Sequence, residues 1–322
     1  MADNTFDDTF EVLISERTEL AAGVLGLELV AADGGALPAA APGAHVDLLL
    51  PSGLVRPYSL CGRGERPGTW RIAVLREPDG RGGSAELHDK AEVHMRLRAT
   101  GPRNRFPLLP ADDLLFIAGG IGITPLLPML AAAERDGVRW RLAYGGRTRA
   151  SMAFLPELAV YGDRVTVVPQ DECGLLDIAG LLSEAPAGAR VYACGPEPLL
   201  EAVRERCAAL PRLTLHTERF AAAAAPGAVR AGADTGFEAV LRRSGRSVLV
   251  PAGTSVLRAV RDAGVAVLAS CEEGTCGTCE TTVLGGTPEH RDSLLTEEER
   301  AAGDLMLICV SRSRGPRLVL DL

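Results

Sequence analysis

Four of the eight cysteines form one pattern near the end of the sequence. Cys271, Cys276 and Cys279 have the spacing C-x4-C-x2-C, and Cys309 follows at a distance. Proteins use this spacing to hold a 2Fe-2S cluster, whose two irons are ligated by four thiolates. The residues between the cysteines are mostly small, so the loop can wrap closely around a cluster and turn its amides toward the sulfurs. The pattern predicts a 2Fe-2S site, with a zinc site as the alternative.

A glycine-rich segment in the middle of the chain suits a dinucleotide. Gly119 to Pro125 (GGIGITP) follows an apolar strand, Leu114 to Ala118, and leads into a helix. Glycines let the backbone approach a pyrophosphate, and a helix N-terminus adds amide donors. A plain tight turn is the alternative, because the full G-x-G-x-x-G motif is absent. The candidate contacts are Gly119, Gly120, Gly122 and Thr124.

Two later strands end in residues that could extend this site. The strand Arg141 to Tyr144 ends in GGRTR, where Arg147 could meet an adenosine ribose or its 2′-phosphate. No acidic residue stands near this run in the sequence, so NADH and NADPH both stay open. The strand Val191 to Ala193 ends at Cys194, Gly195 and Pro196, at the edge where open α/β sheets bind ligands. An ordinary buried thiol is the alternative for Cys194.

Two polar segments stand out in the first third of the chain. Arg56 to Leu60 (RPYSL) combines a guanidinium, an aromatic ring and a hydroxyl in one extended segment. Gly80 to Ser84 (GRGGS) offers free amides, a hydroxyl and a guanidinium ahead of the helical stretch Ala85 to His88. Such a loop suits a phosphomonoester. Surface turn chemistry is the alternative for either segment taken alone.

The hydrophobic pattern predicts a multidomain protein. Short alternating runs in the first third predict an antiparallel β-barrel, and alternating strands and helices in the middle predict an α/β domain with a parallel sheet. The tail has two strands, Phe237 to Leu241 and Arg246 to Val250, then a helix at Val256 to Ala263 and the cysteine loop, which is a β-grasp order. We predict domains at 1–109, 110–222 and 235–322, with a flexible Ala-, Gly- and Pro-rich linker at 223–234.

The composition excludes several classes of protein. The 322 residues are 47% hydrophobic and 24% charged, which excludes general disorder, and the net charge of −8 argues against nucleic-acid binding. The longest apolar stretch, Leu114 to Ala133, contains glycines and prolines and suits a strand, turn and helix better than a membrane span. The acidic N-terminus lacks the features of a signal peptide. We expect a cytoplasmic monomer that binds neither nucleic acid nor membrane.

These segments, together with Gly101 to Phe106 (GPRNRF), follow one another in a fixed order along the sequence. In this order the chain resembles the phthalate dioxygenase reductase family, which includes vanillate O-demethylase reductases, along essentially its whole length. The resemblance implies an FMN-binding barrel, a pyridine-nucleotide domain and a C-terminal plant-type ferredoxin domain. It implies FMN contacts at Arg56, Pro57, Tyr58, Ser59, Ala73, Val74, Leu75, Gly82, Gly83 and Ser84. It places the nucleotide near Gly119, Gly120, Gly122, Thr124, Arg147, Cys194, Gly195 and Pro196.

The resemblance also implies particular roles at the reacting rings. Ser59 would lie near the reactive flavin nitrogen, and Thr124 near flavin and nicotinamide together, with Cys194 the third residue expected at the chemistry. Phe220 would cover the flavin until nicotinamide displaces it, with core packing as the alternative. Many relatives carry a basic residue in the strand before the phosphate loop, where this chain has Leu75. Arg81 or Arg76 could replace that charge.

The predicted cofactors imply an order of electron transfer. A reduced nicotinamide releases two electrons as a hydride and an iron-sulfur cluster accepts one, so FMN has to store the difference. We expect hydride transfer from NADH, the coenzyme that the family favours, or from NADPH. Single electrons then pass through the cluster to a separate acceptor, because the sequence has no Rieske or haem-ligand motif.

The expected acceptor is an oxygenase component. A Rieske-type ring oxygenase or O-demethylase is favoured and a haem monooxygenase is the alternative. Contact is expected around Glu272, Glu273 and Thr275, over a small transient interface. The competing classes are a redox-sensing iron-sulfur binding module and a plain flavin reductase or oxidase that passes electrons to oxygen.

Overall fold

The computed structural model describes residues 9–63, 68–78, 80–220 and 234–322. The chain divides into two compact units, one of residues 10–220 and the other containing residues 234–322. The predicted linker at 223–234 lies outside the described residues except for Asp234, and the predicted domain boundaries stay a prediction. No helix among the described residues is long and apolar enough to cross a membrane.

The first unit begins with a closed antiparallel barrel in the strand order β1-β2-β5-β4-β3-β6. Its strands are β1 (Phe10–Ala21), β2 (Val24–Ala31), β3 (His45–Leu49), β4 (Val55–Arg63), β5 (Trp70–Leu75) and β6 (Arg96–Arg103), and helix α1 (Gly83–Lys90) precedes β6. Alternate side chains such as Val12, Ile14, Leu27 and Leu29 are buried in its core, as alternating sequence runs require. The predicted barrel is therefore confirmed.

A five-stranded parallel sheet follows, in the order β11-β10-β7-β8-β9. Its strands are β7 (Asp113–Gly119), β8 (Arg139–Gly146), β9 (Val165–Pro169), β10 (Arg190–Cys194) and β11 (Thr214–Glu218). The helices are α2 (Leu126–Arg135), α3 (Leu155–Ala159), α4 (Gln170–Cys173), α5 (Ile178–Glu184) and α6 (Glu197–Ala208). Because the chain leaves β7 toward β8 and returns on its other side as β10, the strand order switches direction between β7 and β10. Open α/β sheets bind ligands at such a switch point.

The barrel and the parallel sheet share one hydrophobic core. Cys61 and Ala73 of the barrel belong to the same buried cluster as Phe116 and Met129 of the sheet domain. A bidentate ion pair also joins the two, because Arg71 on β5 donates to both carboxylate oxygens of Glu157 on α3, at 2.7 and 3.0 Å. The shared buried cluster and this ion pair fix the barrel and the parallel sheet relative to one another.

The second unit is built on a five-stranded sheet in the order β13-β12-β18-β14-β16. Its elements are β12 (Phe237–Leu241), β13 (Arg246–Val250), α7 (Val256–Asp262), β14 (Glu280–Gly285), β15 (Pro288–Glu289), α8 (Glu297–Ala302), β16 (Leu305–Leu307), β17 (Arg312–Ser313) and β18 (Arg317–Leu320). Strands β12 and β18 run parallel at the centre of the sheet. Val256 and Val260 of α7 are fully buried in the core of this unit. The predicted β-grasp order of two strands, a helix and the cysteine loop is confirmed.

Candidate functional site

The four patterned cysteines come together in the second unit. Cys271, Cys276 and Cys279 lie between α7 and β14, and Cys309 follows β16, so the pairing of the two strands brings it to the loop. All four side chains are buried. The thiol of Cys271 interacts with those of Cys276 and Cys309, and the thiol of Cys309 also interacts with that of Cys279. The four sulfurs therefore form one continuous group.

Backbone amides surround this group of sulfurs. The Sγ of Cys271 accepts hydrogen bonds from the amides of Glu273 at 3.3 Å and Thr275 at 3.4 Å. The hydroxyl of Thr278 lies 3.1 Å from the Sγ of Cys276. Hydrogen bonds from Cys276 and Cys309, then those from Thr275 and the amide of Glu273, hold the pKa of the Cys271 thiol far below its usual range. Such donors stabilise thiolates that ligate iron.

The loop leaves no room for larger side chains at its closest turn. Gly274 has φ of +73°, and a Cβ there would lie 2.7 Å from Val310 and 3.0 Å from the Cα of Asp292. Thiolate ligands, amide donors and a glycine cradle together fit a 2Fe-2S cluster. In the described part of the chain, no group of three or more His, Cys, Asp or Glu side chains could hold a single metal ion. A 2Fe-2S cluster takes two thiolates on each iron.

Two residues that support this loop were not found from the sequence. Asp292 is buried, and its carboxylate accepts hydrogen bonds from the amides of Leu294 and Leu295. Arg261 on α7 donates to the carboxylate of Glu272 at 2.9 Å and to the carbonyl of Val267. The polar run around Asp292 was the available signal for that residue, whereas Arg261 acts through Glu272, which lies in a different segment of the chain.

The switch point of the parallel sheet gathers the predicted nucleotide residues. Strand β7 ends at Gly119, and a four-residue 3₁₀ turn, Gly120–Ile123, precedes α2. The predicted glycine turn between the strand and the helix is therefore present, and it takes the form of a 3₁₀ turn in which Gly120 has a positive φ. Thr124 is buried, and its hydroxyl donates to the carbonyl of Ile121 at 2.9 Å.

Close backbone approach explains the glycines at this point. A Cβ on Gly122 would overlap the carbonyl oxygen of Cys194 and lie 2.7 Å from the amide nitrogen of Gly195. A Cβ on Gly119 would lie 2.7 Å from the Cδ of Pro196. The structure thus brings together the ends of β7 and β10, two motifs that were separately assigned to the nucleotide site. Nucleotide contact at these residues stays a prediction.

A buried carboxylate lies beside Cys194. Cys194 is fully buried, and burial raises the pKa of its thiol well above the usual range, so the thiol stays protonated. Glu218 is its neighbour on β11, and the Oε2 atom of Glu218 is buried with no hydrogen-bond partner among the described residues. Burial raises the pKa of Glu218 to about 8. Sequence reasoning missed Glu218, although an acidic residue at the end of a strand on this edge is a usable signal.

Two further predictions concern the rim of the sheet. Phe220 follows β11 and is 43% exposed, which disfavours the alternative of core packing. Its role over the flavin stays a prediction. Arg147 is exposed after β8. The expectation that no acidic residue lies near the GGRTR run is wrong, because the segment after β9 brings Glu172 into contact with Arg149. Parallel strands end at the same edge of the sheet, and this proximity of distant residues cannot be read from the linear sequence.

The two polar segments of the barrel also meet. A Cβ on Gly83 would lie 2.7 Å from the Cγ of Arg56, whose guanidinium donates to the carbonyl of Arg81 at 3.1 Å. Helix α1 starts directly after Gly82, whose φ is +84° and which has no side chain to occupy the first helical amides. Arg76 pairs with Asp89 at 2.6 Å, so Arg56 is the guanidinium that the structure places against the glycine loop.

The remaining predicted flavin residues lie on two neighbouring strands. Ser59 is buried on β4, and burial raises the pKa of Tyr58, the residue before it, above its usual range. Ala73 and Val74 are buried on β5, and Leu75 is partly buried. The residues of this group are Pro57, Tyr58, Ser59, Ala73, Val74 and Leu75. Their contact with a flavin stays a prediction.

Comparison with known proteins identifies the fold of both units. Residues 240–314 match the 2Fe-2S iron-sulfur cluster binding domain family. The whole chain superposes on phthalate dioxygenase reductase with a TM-score of 0.71 and 35% sequence identity, covering 98% of each chain. The chain belongs to the phthalate dioxygenase reductase family. Membership confirms the suspected resemblance and the predicted set of flavin, pyridine nucleotide and 2Fe-2S cluster.

Other family relatives include oxygenase components. The chain is 46% identical over 282 residues to phenoxybenzoate dioxygenase subunit beta of Ectopseudomonas oleovorans, covering 87% of each. It also matches an intact type IV self-sufficient cytochrome P-450 monooxygenase, with a TM-score of 0.88 and 40% identity. That match covers 98% of this chain but 41% of the longer chain. The reductase family thus occurs both as a separate chain and as part of a longer one.

The close approach at Gly122 predicts the effect of one methyl group. In Gly122→Ala the ends of β7 and β10 must separate, which we expect to cost about 1–3 kcal/mol of stability and to raise the KM for NADH at least about tenfold. Steady-state oxidation of NADH with ferricyanide and unfolding by tryptophan fluorescence measure both effects. Gly315→Ala is the control, since its Cβ meets nothing within 4 Å. An unchanged KM would show that this turn does not shape the nucleotide site.

The raised pKa of Glu218 predicts a pH-dependent stability. Between its unfolded value near 4.5 and about 8 the folded state binds more protons, so the free energy of unfolding falls as pH rises. Glu218→Gln removes this loss, so at pH 8 the variant should be more stable than the wild type, by on the order of 3 kcal/mol. At pH 4 the two proteins should be nearly equal. Urea unfolding at both pH values measures the difference.

Tryptophan fluorescence isolates the unit concerned, because Trp70 and Trp140 both lie in the first unit. Glu205→Gln on α6 provides the exposed control. If Glu218→Gln and the wild type lose stability in parallel as pH rises from 4 to 8, Glu218 is ionised in the folded protein and the account of its burial is wrong.

Proposed function

We propose that this chain is the reductase component of a multicomponent oxygenase. It takes hydride from NADH to FMN and passes single electrons through the 2Fe-2S cluster to a separate oxygenase. The observation that carries the proposal is the group of four buried, amide-solvated cysteines in the same chain as a barrel and a parallel sheet that share one core. Transfer from a two-electron hydride donor to a one-electron acceptor requires both the flavin and nucleotide domains and the cluster.

The barrel supplies the proposed flavin site. Arg56 lies against Gly83 at the start of α1, where the first helical amides and a guanidinium suit the single phosphate of FMN. When bound, FMN accepts a hydride and returns its electrons singly. Buried Ser59 would hold the flavin edge, and Phe220 would cover the ring until nicotinamide arrives. A loop that offers amides and one guanidinium to a single phosphate, together with the family, supports FMN rather than FAD.

The switch point of the sheet supplies the proposed nicotinamide site. Gly119, Gly122 and Gly195 let the ends of β7 and β10 pack directly against one another, which brings their backbone groups together at the switch point where a nicotinamide would bind. Thr124 would orient the ring, and the protonated thiol of Cys194 would pack beneath it without reacting. Glu218 adds a buried carboxyl that is neutral at pH 7, so it places no negative charge beside the ring.

The loop of the second unit supplies the proposed exit for electrons. Cys271, Cys276, Cys279 and Cys309 would ligate the irons, and amides donating to the sulfurs would raise the reduction potential. Exposed Glu272 marks the rim over which an acceptor would dock transiently. We also propose a monomer in the cytoplasm, where a reducing environment keeps the exposed thiol of Cys173 free.

The acceptor is proposed from the family. The relative named as a subunit of phenoxybenzoate dioxygenase favours a ring oxygenase, with a Rieske centre as the receiving group. A haem monooxygenase is the second candidate, because this chain superposes on part of a cytochrome P-450 monooxygenase. In either case the oxygen chemistry takes place on the acceptor.

The test combines flavin identification with one variant. Acid treatment of the purified chain should release FMN, and Cys276→Ser should keep NADH oxidation with ferricyanide while reducing cytochrome c at least about a hundredfold more slowly, because the path through the cluster is interrupted. Cys173→Ser is the control, since Cys173 is exposed and outside the cysteine loop. Release of FAD would contradict the proposed phosphate site. Unchanged cytochrome c reduction in Cys276→Ser would favour a plain flavin reductase.

A further inference from the structure

Two neighbouring strand ends bring opposite charges to the adenosine end of the proposed nucleotide site. Arg147 and Arg149 follow β8, and Asp171 and Glu172 lie in α4 after β9. Strands β8 and β9 are parallel neighbours, so their carboxyl ends meet at one edge. In open α/β sheets the adenosine ribose rests at the end of the second strand, which here is β8.

One of the two arginines is already engaged in an ion pair with an acidic residue. The Nε of Arg149 donates to Glu172 Oε1 at 3.1 Å, and its Nη2 donates to Oε2 at 2.7 Å. This is the two-point arrangement with which a guanidinium also grips a phosphate. The hydroxyl of Thr148 accepts a hydrogen bond from the amide of Ser151, which fixes the turn that carries Arg149. The side chain of Arg149 is therefore bound by a carboxylate, and a hydrogen-bonded turn fixes its backbone.

Asp171, the second acidic residue, lies at the same edge of the sheet. The amide of Asp171 donates to the carbonyl of Arg147 at 3.2 Å, so the loops after β8 and β9 are joined through their backbones. The edge thus carries two positive and two negative side chains, each within three residues of the end of its strand. Its net charge is zero, whereas the GGRTR run considered alone is strongly positive.

This charge balance distinguishes the two coenzymes. NADH presents a 2′-hydroxyl, which can donate to a carboxylate, whereas NADPH presents a 2′-phosphate, which requires arginine and is repelled by carboxylates. We propose that Glu172 is a specificity-determining residue that selects NADH over NADPH, because it occupies Arg149 and adds negative charge at the ribose edge. The inference rests on the proposed function and names the residue that selects its coenzyme.

A simple surface role makes a different prediction. Both side chains are about half exposed, and an exposed ion pair contributes little to folding stability. If the pair were only a surface contact, its removal would leave the coenzyme preference unchanged. The ratio of kcat/KM for NADH to that for NADPH therefore separates the two roles, and stability does not.

The experiment measures this ratio in the full chain with its cofactors, using ferricyanide as acceptor. Wild type should prefer NADH, and Glu172→Gln should lower the ratio about tenfold or more, mainly by raising kcat/KM for NADPH, because Arg149 is released to bind the phosphate. The double variant Glu172→Gln with Arg149→Gln should lose most of that gain. The gain in Glu172→Gln should also shrink as ionic strength rises, since the new contact is electrostatic.

A matched control exists on the same sheet domain. Glu184→Gln makes the same change in charge at an exposed pair, Arg141 with Glu184, whose charged atoms are 3.6 Å apart. Its ratio should equal that of the wild type. An unchanged ratio in Glu172→Gln, an equal shift in Glu184→Gln, or a wild type that prefers NADPH would overturn the inference while leaving the reductase function intact. Oxidation of neither coenzyme would instead overturn the proposed function.

Discussion

Glycines at three places in this molecule let the backbone come very close to other backbone or to a side chain, and these places are the cysteine loop and the two proposed binding sites. At the cysteine loop, amides reach the Sγ of Cys271 because Gly274 lets the chain turn against Asp292. At the switch point, Gly122 lets β7 meet the end of β10. At the barrel, Gly83 admits the side chain of Arg56. A methyl group at any of the three would displace backbone or a neighbouring side chain.

The same constraint explains why so few charged side chains are needed for chemistry. Cofactors supply the reactive atoms, so the protein contributes position, hydrogen bonds and exclusion of water. The shared core of the barrel and the sheet, with the bidentate pair of Arg71 and Glu157, sets the two proposed ring sites relative to one another. Glu218 fits this scheme, because a buried carboxyl with a pKa of about 8 is neutral and adds no charge at neutral pH.

Local patterns were enough to predict much of this structure. The spacing of Cys271 to Cys309, the alternating barrel runs and the hairpin of β12 and β13 depend on near neighbours, and each was predicted from them. Pairings between distant segments were not. Glu172 reaches Arg149, and Glu218 reaches Cys194, through parallel strand pairing that is set by the whole sheet. The turn after Gly119 was predicted, but its 3₁₀ form was not, because packing against the end of β10 rather than local propensity determines that form.

The proposed function requires that this chain take up electrons in pairs and release them singly. Anaerobic titration of the oxidised protein with NADH, followed by absorbance of flavin and cluster, tests it most directly. The account predicts an end point of about 1.5 equivalents, two electrons on the flavin and one on the cluster, with flavin reduction preceding cluster reduction in rapid mixing. Completion at about one equivalent with the cluster still oxidised, or reduction of the cluster before the flavin, would contradict it.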